Sequence, residues 1–341
     1  MARYLIKLMM LVLVLGVLVG CGEKKSTPAS DKLQVGLVFD IGGRGDKSFN
    51  DSAFAGLEKA SKEFNLEMGK DIEYIEPSEA ADRESALRQL ASKGKNLVVA
   101  IGFIFSEDVN RVAKDFPNTK FACVDYVPPT DGVVPANVVG LKFNEEEGSF
   151  LVGVIAGLVT KTNKIGFVGG MKSPLIAKFE KGFKDGVLYS NPKCTVFSNY
   201  AGVKPEAFKD PSKGKELALS MYGKGADIIY HASGATGSGV FEAAREQKKL
   251  AIGVDSDQYN EAPGFVLTSM VKRVDVSVFE TIKAVKSGTF TSGIKTFDLA
   301  NSGVDYVYDD NNKALIPSTV KDKVEEVRQG IISGKISVKT K

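Results

Sequence analysis

Three acidic side chains and one lysine stand where the apolar, β-branched runs of this sequence end. These residues are Asp40, Asp125, Asp255 and Lys272. In open α/β sheets, ligands bind beyond the carboxyl ends of the strands. If two such sheets face each other, the four charged groups converge on one cleft. There the carboxylates would accept hydrogen bonds from a ligand and the lysine would donate to it.

Glycine-rich turns and an aromatic residue occupy other predicted strand ends. The turns are 41–51, 169–173 and 233–237, and Phe208 lies beyond the predicted strand 194–200. The chain has no Trp, so any aromatic binding surface must be built from its 20 Phe and 10 Tyr. The strand ends therefore predict a binding cleft that combines carboxylates, one ammonium group and phenyl rings.

Three motifs suggest other kinds of chemistry. Residues 42–48 (GGRGDKS) resemble a phosphate-binding loop, but Asp46 stands where that pattern requires glycine and would repel phosphate. Asp40, Asp46 and Asp51 resemble the acidic cluster of a calcium-dependent nucleoside hydrolase. Asp51, however, falls in the first turn of a predicted helix, where the helix dipole accounts for it. His231 lies in an apolar run and is expected to be structural.

Composition and charge exclude several classes of protein. One histidine and three cysteines exclude His-rich metal sites, zinc ribbons and dispersed Ser-His-Asp or Cys-His catalysis. The net charge is +3, and Arg3 and Lys7 contribute two of these charges, so the chain offers no basic surface for nucleic acid. A length of 341 residues predicts two domains. Cys123 and Cys194 are predicted to be buried free thiols.

The first residues have the features of a bacterial lipoprotein leader. A positive start is followed by twelve apolar residues, 8–19, which are too few for a comfortable membrane span. The segment then reads Leu-Val-Gly-Cys and ends at Cys21, which resembles a lipobox. We therefore predict a signal peptide over 1–20 and lipidation of Cys21, including palmitate, with 21–32 as a polar tether. An ordinary signal peptide or membrane anchor with an incidental cysteine is the alternative.

From Leu33 the chain alternates predicted strands and helices. The first series runs to about residue 143 and the second from 144 to about 257, which predicts an α/β protein with two similar lobes and parallel sheets. Further strand and helix patterns follow over 265–333. Material left over after two complete lobes is expected when a chain crosses between lobes more than once.

Several motifs, in order, resemble the basic membrane protein (Bmp, PnrA-like) family of substrate-binding lipoproteins of ABC transporters. The resemblance covers nearly all of residues 33–341 and is carried by the following segments: Asp40 with DKSFN (46–50), FEKGF (179–183), GATGSGV (234–240), GVDSDQ (253–258) and TSMVKR (268–273). It implies the periplasmic-binding-protein type I fold, with two Rossmann-like lobes joined by a three-segment hinge. The expected lobes are 33–143 with 273–291, and 144–272 with 292–341.

The resemblance also implies roles for individual residues. Phe49 and Phe208 would sandwich a base, and Asp125 and Asn50 would contact its edge. The ribose hydroxyls would be held by Asp40, Asp255, Lys272 and the backbone at Gly234. Ser48 belongs to the same motif as Phe49. Phe179 is expected either to contact the ligand or to pack in the core. Gly45 stands where some members are expected to carry an acidic residue, which leaves a direct role for Asp46 open.

The function expected from this resemblance is binding, without catalysis, of purine nucleosides such as adenosine, guanosine or inosine. The protein would be anchored in the cell envelope by lipid and would deliver its ligand to a permease by closing its hinge. No cofactor, metal or nucleic acid is expected. Two alternatives remain open at this stage. One is an extracytoplasmic calcium-dependent nucleoside hydrolase, and the other is a surface adhesin that uses the same scaffold.

Overall fold

The computed structural model describes residues 32–339, and within them twelve β-strands form two six-stranded sheets accompanied by nine α-helices. The strands are β1 (Val35–Val38), β2 (Ile72–Ile75), β3 (Leu97–Ile101), β4 (Lys120–Val124), β5 (Val138–Phe143), β6 (Lys164–Met171), β7 (Thr195–Gly202), β8 (Ile228–Ala232), β9 (Leu250–Asp255), β10 (Val266–Lys272), β11 (Gly293–Phe297) and β12 (Val304–Tyr306). The helices are α1 (Phe49–Phe64), α2 (Arg83–Ser92), α3 (Ser106–Asp115), α4 (Glu145–Val159), α5 (Pro174–Ser190), α6 (Pro211–Gly223), α7 (Gly237–Gln247), α8 (Val274–Lys286) and α9 (Ser318–Ile332). The predicted signal peptide and Cys21 lie outside the described residues.

Each sheet forms one lobe. The first sheet has the order β11-β5-β4-β3-β1-β2, and the second has β12-β10-β9-β8-β6-β7. All neighbouring strands are parallel except β12, which pairs antiparallel with β10 at the edge of the second sheet. The chain passes from one sheet to the other three times, after β5, after β10 and after β11. The predicted α/β class, the two lobes and the three crossovers are confirmed. We call the sheets with their helices lobe 1 and lobe 2.

One predicted lobe boundary is wrong. Residues 292–341 were expected in the second lobe, but β11 pairs in parallel with β5 in the first sheet, with Lys295 opposite Leu141. The pattern of β11 indicates a strand but does not indicate which sheet receives it. The edge of β5 carries backbone groups that need partners, and β11 supplies them. The third crossover therefore lies at 298–303, between β11 and β12.

Helix α1 packs in lobe 1 through an apolar face. Helix α1 buries Ala53, Leu57 and Ala60, as their helical spacing predicts. It crosses α8 at Gly56, where an added Cβ would lie 2.3 Å from the carbonyl oxygen of Asp275. This close approach fixes α1 against α8, and the first turn of α1 contributes to the site described below. Cys123 and Cys194 are buried free thiols, as predicted.

Helices α4 and α5 pack backbone to backbone in lobe 2. An added Cβ at Gly153 would lie 2.3 Å from the carbonyl oxygen of Phe183, and one at Gly186 would lie 2.1 Å from that of Phe150. Such contacts leave no room for larger side chains and fix α5 against α4. Among the helices that the structure describes, none combines the length and apolar character needed to cross a membrane.

Candidate functional site

A cavity lies between the carboxyl-terminal strand ends of the two sheets. It contains about 540 Å³ of space outside protein atoms, part of which is open to solvent. It is lined by nine of the ten residues that the sequence predicts for ligand contact, namely Asp40, Phe49, Asn50, Asp125, Phe179, Phe208, Gly234, Asp255 and Lys272. The tenth, Ser48, is fully buried, and its hydroxyl donates a hydrogen bond to the carboxylate of Asp255.

Two half-buried phenylalanines contribute to the wall of the cavity, one from each lobe. Phe49 is the first residue of α1 in lobe 1, and Phe208 ends a short 3₁₀ turn (Pro205–Phe208) after β7 in lobe 2. The ring of Phe208 lies against Gly170, where an added Cβ would come within 2.4 Å of ring carbons. Glycine at position 170 thus allows the ring to lie close to the end of β6. Phe179, on α5, is 3% exposed, so it both packs in the core and reaches the cavity.

Lys272 places an ammonium group inside this cavity. Its side chain is 1% exposed, and its Nζ lies 2.7 Å from both carboxylate oxygens of Asp125 and 3.3 Å from Glu145. The ring centroids of Phe49 and Phe143 lie 5.0 and 4.9 Å from Nζ, within cation–π range. Burial disfavours the charged ammonium, but neighbouring carboxylates, led by Asp125, outweigh that effect and raise the pKa of Lys272 above its ordinary value.

Asp125 and Asp255 occupy equivalent positions in the two lobes. Asp125 follows β4 in lobe 1, and Asp255 is the last residue of β9 in lobe 2. Both have left-handed backbone conformations, with φ of 60° and 66°. Residues other than glycine rarely adopt this backbone conformation, and aspartate is among the few that tolerate it. Such conformations persist where surrounding structure holds them, often at binding sites.

The carboxylates of the cavity are buried. Burial raises the pKa of Asp40 and of Asp255 to about 7, and that of Asp125 to about 6. The ammonium group of Lys272 limits the rise for Asp125 and Asp255. One oxygen of Asp40 accepts a hydrogen bond from the backbone N–H of Ile41 at 2.6 Å. Carboxyl groups with pKa values near neutral pH can accept hydrogen bonds when ionised and donate one when protonated.

The loop 42–51 is organised by two aspartates. Asp46 accepts hydrogen bonds from the backbone N–H groups of Ser48, Asn50 and Asp51. The carboxylate of Asp51 accepts from the N–H groups of Gly45 and Lys47. The amides that a phosphate-binding loop would present are therefore occupied by the protein's own carboxylates. Asp46 also lines the cavity.

The amide of Asn50 is largely used inside lobe 1. Its carbonyl oxygen accepts from the backbone N–H of Asp40 at 3.0 Å, and its Nδ2 donates to Asp46 at 3.0 Å. One N–H of the amide is not used by these contacts. Asn50 therefore links Asp40 to Asp46 within lobe 1, a structural role that its sequence motif did not indicate. One N–H of its side-chain amide remains as a donor for the cavity.

Six cavity residues were missed by the sequence reasoning. Ala232 and Val254 lie close to the ends of β8 and β9, and the other four are Gly102, Phe103, Leu175 and Ile176. The first two of these four directly follow β3, and the other two lie in the first turn of α5, just beyond β6. The strand-end rule that identified Asp40 and Asp125 would have found them if it had been applied to β3 and extended beyond residue 173.

His231 lies in the core of lobe 2, as the structural expectation requires. It is fully buried, its Nε2 lies 3.0 Å from Oε1 of Gln258, and burial lowers its pKa to about 4. Within residues 32–339, no group of three or more His, Cys, Asp or Glu side chains is arranged to hold a metal ion.

Residues 33–341 match the family model described as "ABC transporter substrate-binding protein PnrA-like" (Bmp). The chain is 37% identical over 357 residues to the "CD4+ T-cell-stimulating antigen" of Listeria innocua, covering 97% of both chains. It is 36% identical over 347 residues to the "ABC transporter nucleoside-binding protein BmpA" of Lactococcus lactis, covering 95% of both.

A solved structure has a similar fold. This is a solute-binding protein of an ABC transporter system from Aeropyrum pernix K1. It superposes with a TM-score of 0.82 at 30% sequence identity, and the match covers 91% of this chain and 94% of that one.

Proposed function

Because the chain belongs to the PnrA-like (Bmp) family of ABC transporter substrate-binding proteins, we propose that its interlobe cavity binds purine nucleosides for uptake. The observation that carries the proposal is the combination of groups in one cavity. Phe49 and Phe208 contribute from opposite lobes, and four buried carboxylates and Lys272 line the same space. A flat heterocycle attached to a sugar with several hydroxyls fits both parts.

The aromatic part would hold the base. Stacking on a phenyl ring contributes about 1–3 kcal/mol per base and does not require a charged ligand. We assign Phe49 and Phe208 to the two faces of the base, with Phe179 beside them. Asp125 and the remaining N–H of Asn50 would contact its edge, since these groups present an acceptor and a donor to ring nitrogens and exocyclic groups.

The charged part would hold the ribose. Asp40, Asp255, Lys272 and the backbone at Gly234 are assigned to the hydroxyls, and Ser48 fixes the carboxylate of Asp255. Hydrogen bonds to charged groups contribute about 1.5–3 kcal/mol each when they are shielded from water. Because Lys272 is bonded to Asp125, the base and sugar contacts would lie next to each other.

The proposed mechanism is hinge closure without turnover. Proposed ligand contacts come from both lobes, so the ligand binds the closed arrangement better and shifts the population towards it. Release to a permease of the ABC transporter would follow reopening. We also propose that Cys21 carries the lipid anchor, which would keep the protein at the outer face of a cell membrane.

Calorimetry of the purified protein with inosine, adenosine and guanosine tests the proposal, with uridine and free ribose as controls. We expect purine nucleosides to bind more tightly than either control. Chromatography of the denatured protein should also release a nucleoside that co-purified with it. Incubation with inosine separates binding from hydrolysis, because a hydrolase would produce free base and ribose. No binding of any purine nucleoside, or formation of free base, would refute the proposal.

A further inference from the structure

The two lobes contact each other beside the cavity at residues that have no assigned role in ligand binding. The side-chain Nε2 of Gln258, in lobe 2, donates a hydrogen bond to the backbone carbonyl oxygen of Lys47, in lobe 1, at 3.0 Å. Next to it, Ser48 donates to Asp255 across the same boundary. Asp255 lines both the ligand cavity and a surface groove that Lys47 and Gln258 also line. These contacts therefore separate the cavity from that groove.

The hydrogen bonds of Gln258 determine which way its amide points. Its Oε1 accepts from the backbone N–H of Val254 at 2.8 Å, and a backbone N–H can only donate. Its Nε2 faces the carbonyl oxygen of Lys47, which can only accept. The backbone N–H of Gln258 donates to the hydroxyl of Ser269 at 3.0 Å. Gln258 is 3% exposed, and its orientation follows from these partners alone.

The amide in turn determines the tautomer of His231. Since Oε1 of Gln258 is an acceptor, Nε2 of His231, 3.0 Å away, must carry the proton and donate it. Nδ1 of the same ring is then an acceptor, and the hydroxyl of Ser233 lies 3.3 Å from it. The lowered pKa of His231 keeps the ring neutral at physiological pH, as this arrangement requires.

The protein leaves room for this arrangement at two glycines. An added Cβ at Gly237 would come within 2.0 Å of the ring of His231. One at Gly253 would lie 2.8 Å from Oε1 of Gln258. The ring also contacts Phe241 edge-on, with centroids 5.1 Å apart. His231 is thus confined by Gly237 and Phe241, and its hydrogen bond holds the amide of Gln258 in place.

We propose that Gln258, held by the ring of His231, is a positioning residue that secures the closed lobes at Lys47 and so slows ligand release. This inference rests on the proposed nucleoside site, but Gln258 itself does not line that cavity. On opening, the amide loses its partner in lobe 1 and exchanges it for water from the adjoining groove. Its contribution therefore favours the closed arrangement, with or without ligand.

The test uses Gln258→Met, which keeps the length of the side chain and removes its hydrogen bonds. His231→Phe is the second variant, because it keeps the ring against Phe241 and leaves Gln258 unchanged while removing the donor. Gln247→Met makes the same chemical change at an exposed position of lobe 2 and is the control. Inosine dissociation and association rates are measured by stopped flow for all four proteins.

We expect both variants to release inosine about three- to tenfold faster than the wild type, which corresponds to the loss of one hydrogen bond. The association rate should stay within about twofold, because the ligand meets the open arrangement. The control should match the wild type. An unchanged dissociation rate in both variants, or a loss confined to the association rate, would overturn the proposal.

A second measurement does not depend on the ligand. Spin labels at the exposed positions Val133 in lobe 1 and Val203 in lobe 2 report the distance between the lobes. Gln258→Met should lower the closed fraction of the ligand-free protein relative to the Gln247→Met control. If wild-type protein binds no nucleoside but the closed fraction falls, the proposed function fails and the positioning role stands. An unchanged closed fraction refutes the positioning role.

Discussion

Replacing Asp255 with asparagine should weaken nucleoside binding and stabilise the ligand-free protein at the same time. The substitution keeps the size of the side chain, and asparagine also tolerates the left-handed backbone at this position, where φ is 66°. It removes the charged acceptor proposed for the ribose hydroxyls. The expected loss is about 1.5–3 kcal/mol of binding free energy, or roughly ten- to 150-fold in the dissociation constant.

The effect on stability has the opposite sign. Burial raises the pKa of Asp255 from 3.8 to about 7, so the folded state binds more protons than the unfolded chain between these values. Stability therefore falls as the pH rises through this window and is lowest above it. The pKa difference alone corresponds to a loss of about 4 kcal/mol in the free energy of unfolding above pH 7. This value already includes the attraction of Lys272 and the hydrogen bond from Ser48. It is an upper bound for the gain in the variant, because the buried amide of asparagine carries a burial cost of its own.

The assay combines calorimetry with thermal unfolding. Dissociation constants for inosine and for an inosine lacking one ribose hydroxyl, on wild type and Asp255→Asn, form a four-value cycle. Removal of the contacted hydroxyl should affect the wild type more than the variant. Unfolding temperatures at pH 5 and pH 8 should show a flatter pH dependence in the variant. Asp257→Asn, at an exposed position of the same loop, is the control.

Two results would refute this reasoning separately. Zero coupling in the cycle for each ribose hydroxyl would remove Asp255 from the sugar site. A lower unfolding temperature of the variant at pH 8 would show that the charge of Asp255 stabilises the fold, through its contacts with Ser48 and Lys272, by more than burial opposes it.

Three further predictions concern other parts of the molecule. Phe49→Ala and Phe208→Ala should each weaken nucleoside binding by roughly ten- to a hundredfold, from the loss of stacking; wild-type affinity in calorimetry would show that the ring does not contact the base. Gly170→Ala should weaken purine binding and lower the unfolding temperature only slightly, because a Cβ there would meet the ring of Phe208 at 2.4 Å and push it into the cavity. Unchanged affinity would contradict this. Cys21→Ser should abolish labelling by radioactive palmitate without changing the affinity of the folded domain, and persistent labelling would exclude Cys21 as the anchor.

Much of the fold could be predicted because it depends on local patterns. The spacing of apolar residues predicts one helix from about Phe49 to Phe64 and another over 106–115, and both have these limits in the structure. Hydrophobic periodicity and Gly or Pro at the ends of elements determine these limits. The positions beyond strand ends were informative for the same reason, since parallel strands in one sheet bring their carboxyl ends to one edge.

Other features depended on partners that are distant in sequence. The pattern of β11 predicted a strand, but its place in the first sheet was decided by the open edge of β5. Asn50 belongs to a motif expected to bind ligand, yet most of its side-chain amide is hydrogen-bonded to Asp40 and Asp46. Propensity and spacing describe a residue's own segment, so they do not indicate such competing contacts.

The sequence by itself therefore determined the elements, the α/β class and nine of the 18 residues that line the cavity. Tertiary structure decided how these residues pair. Lys272 bonds to Asp125, 147 residues away, and Gln258 reaches Lys47 at a separation of 211. The perturbed pKa values follow from the same assembly, because a carboxylate is desolvated only when the two lobes enclose it. The pairing of charged side chains is a property of the closed cleft, and no local pattern of residues predicts it.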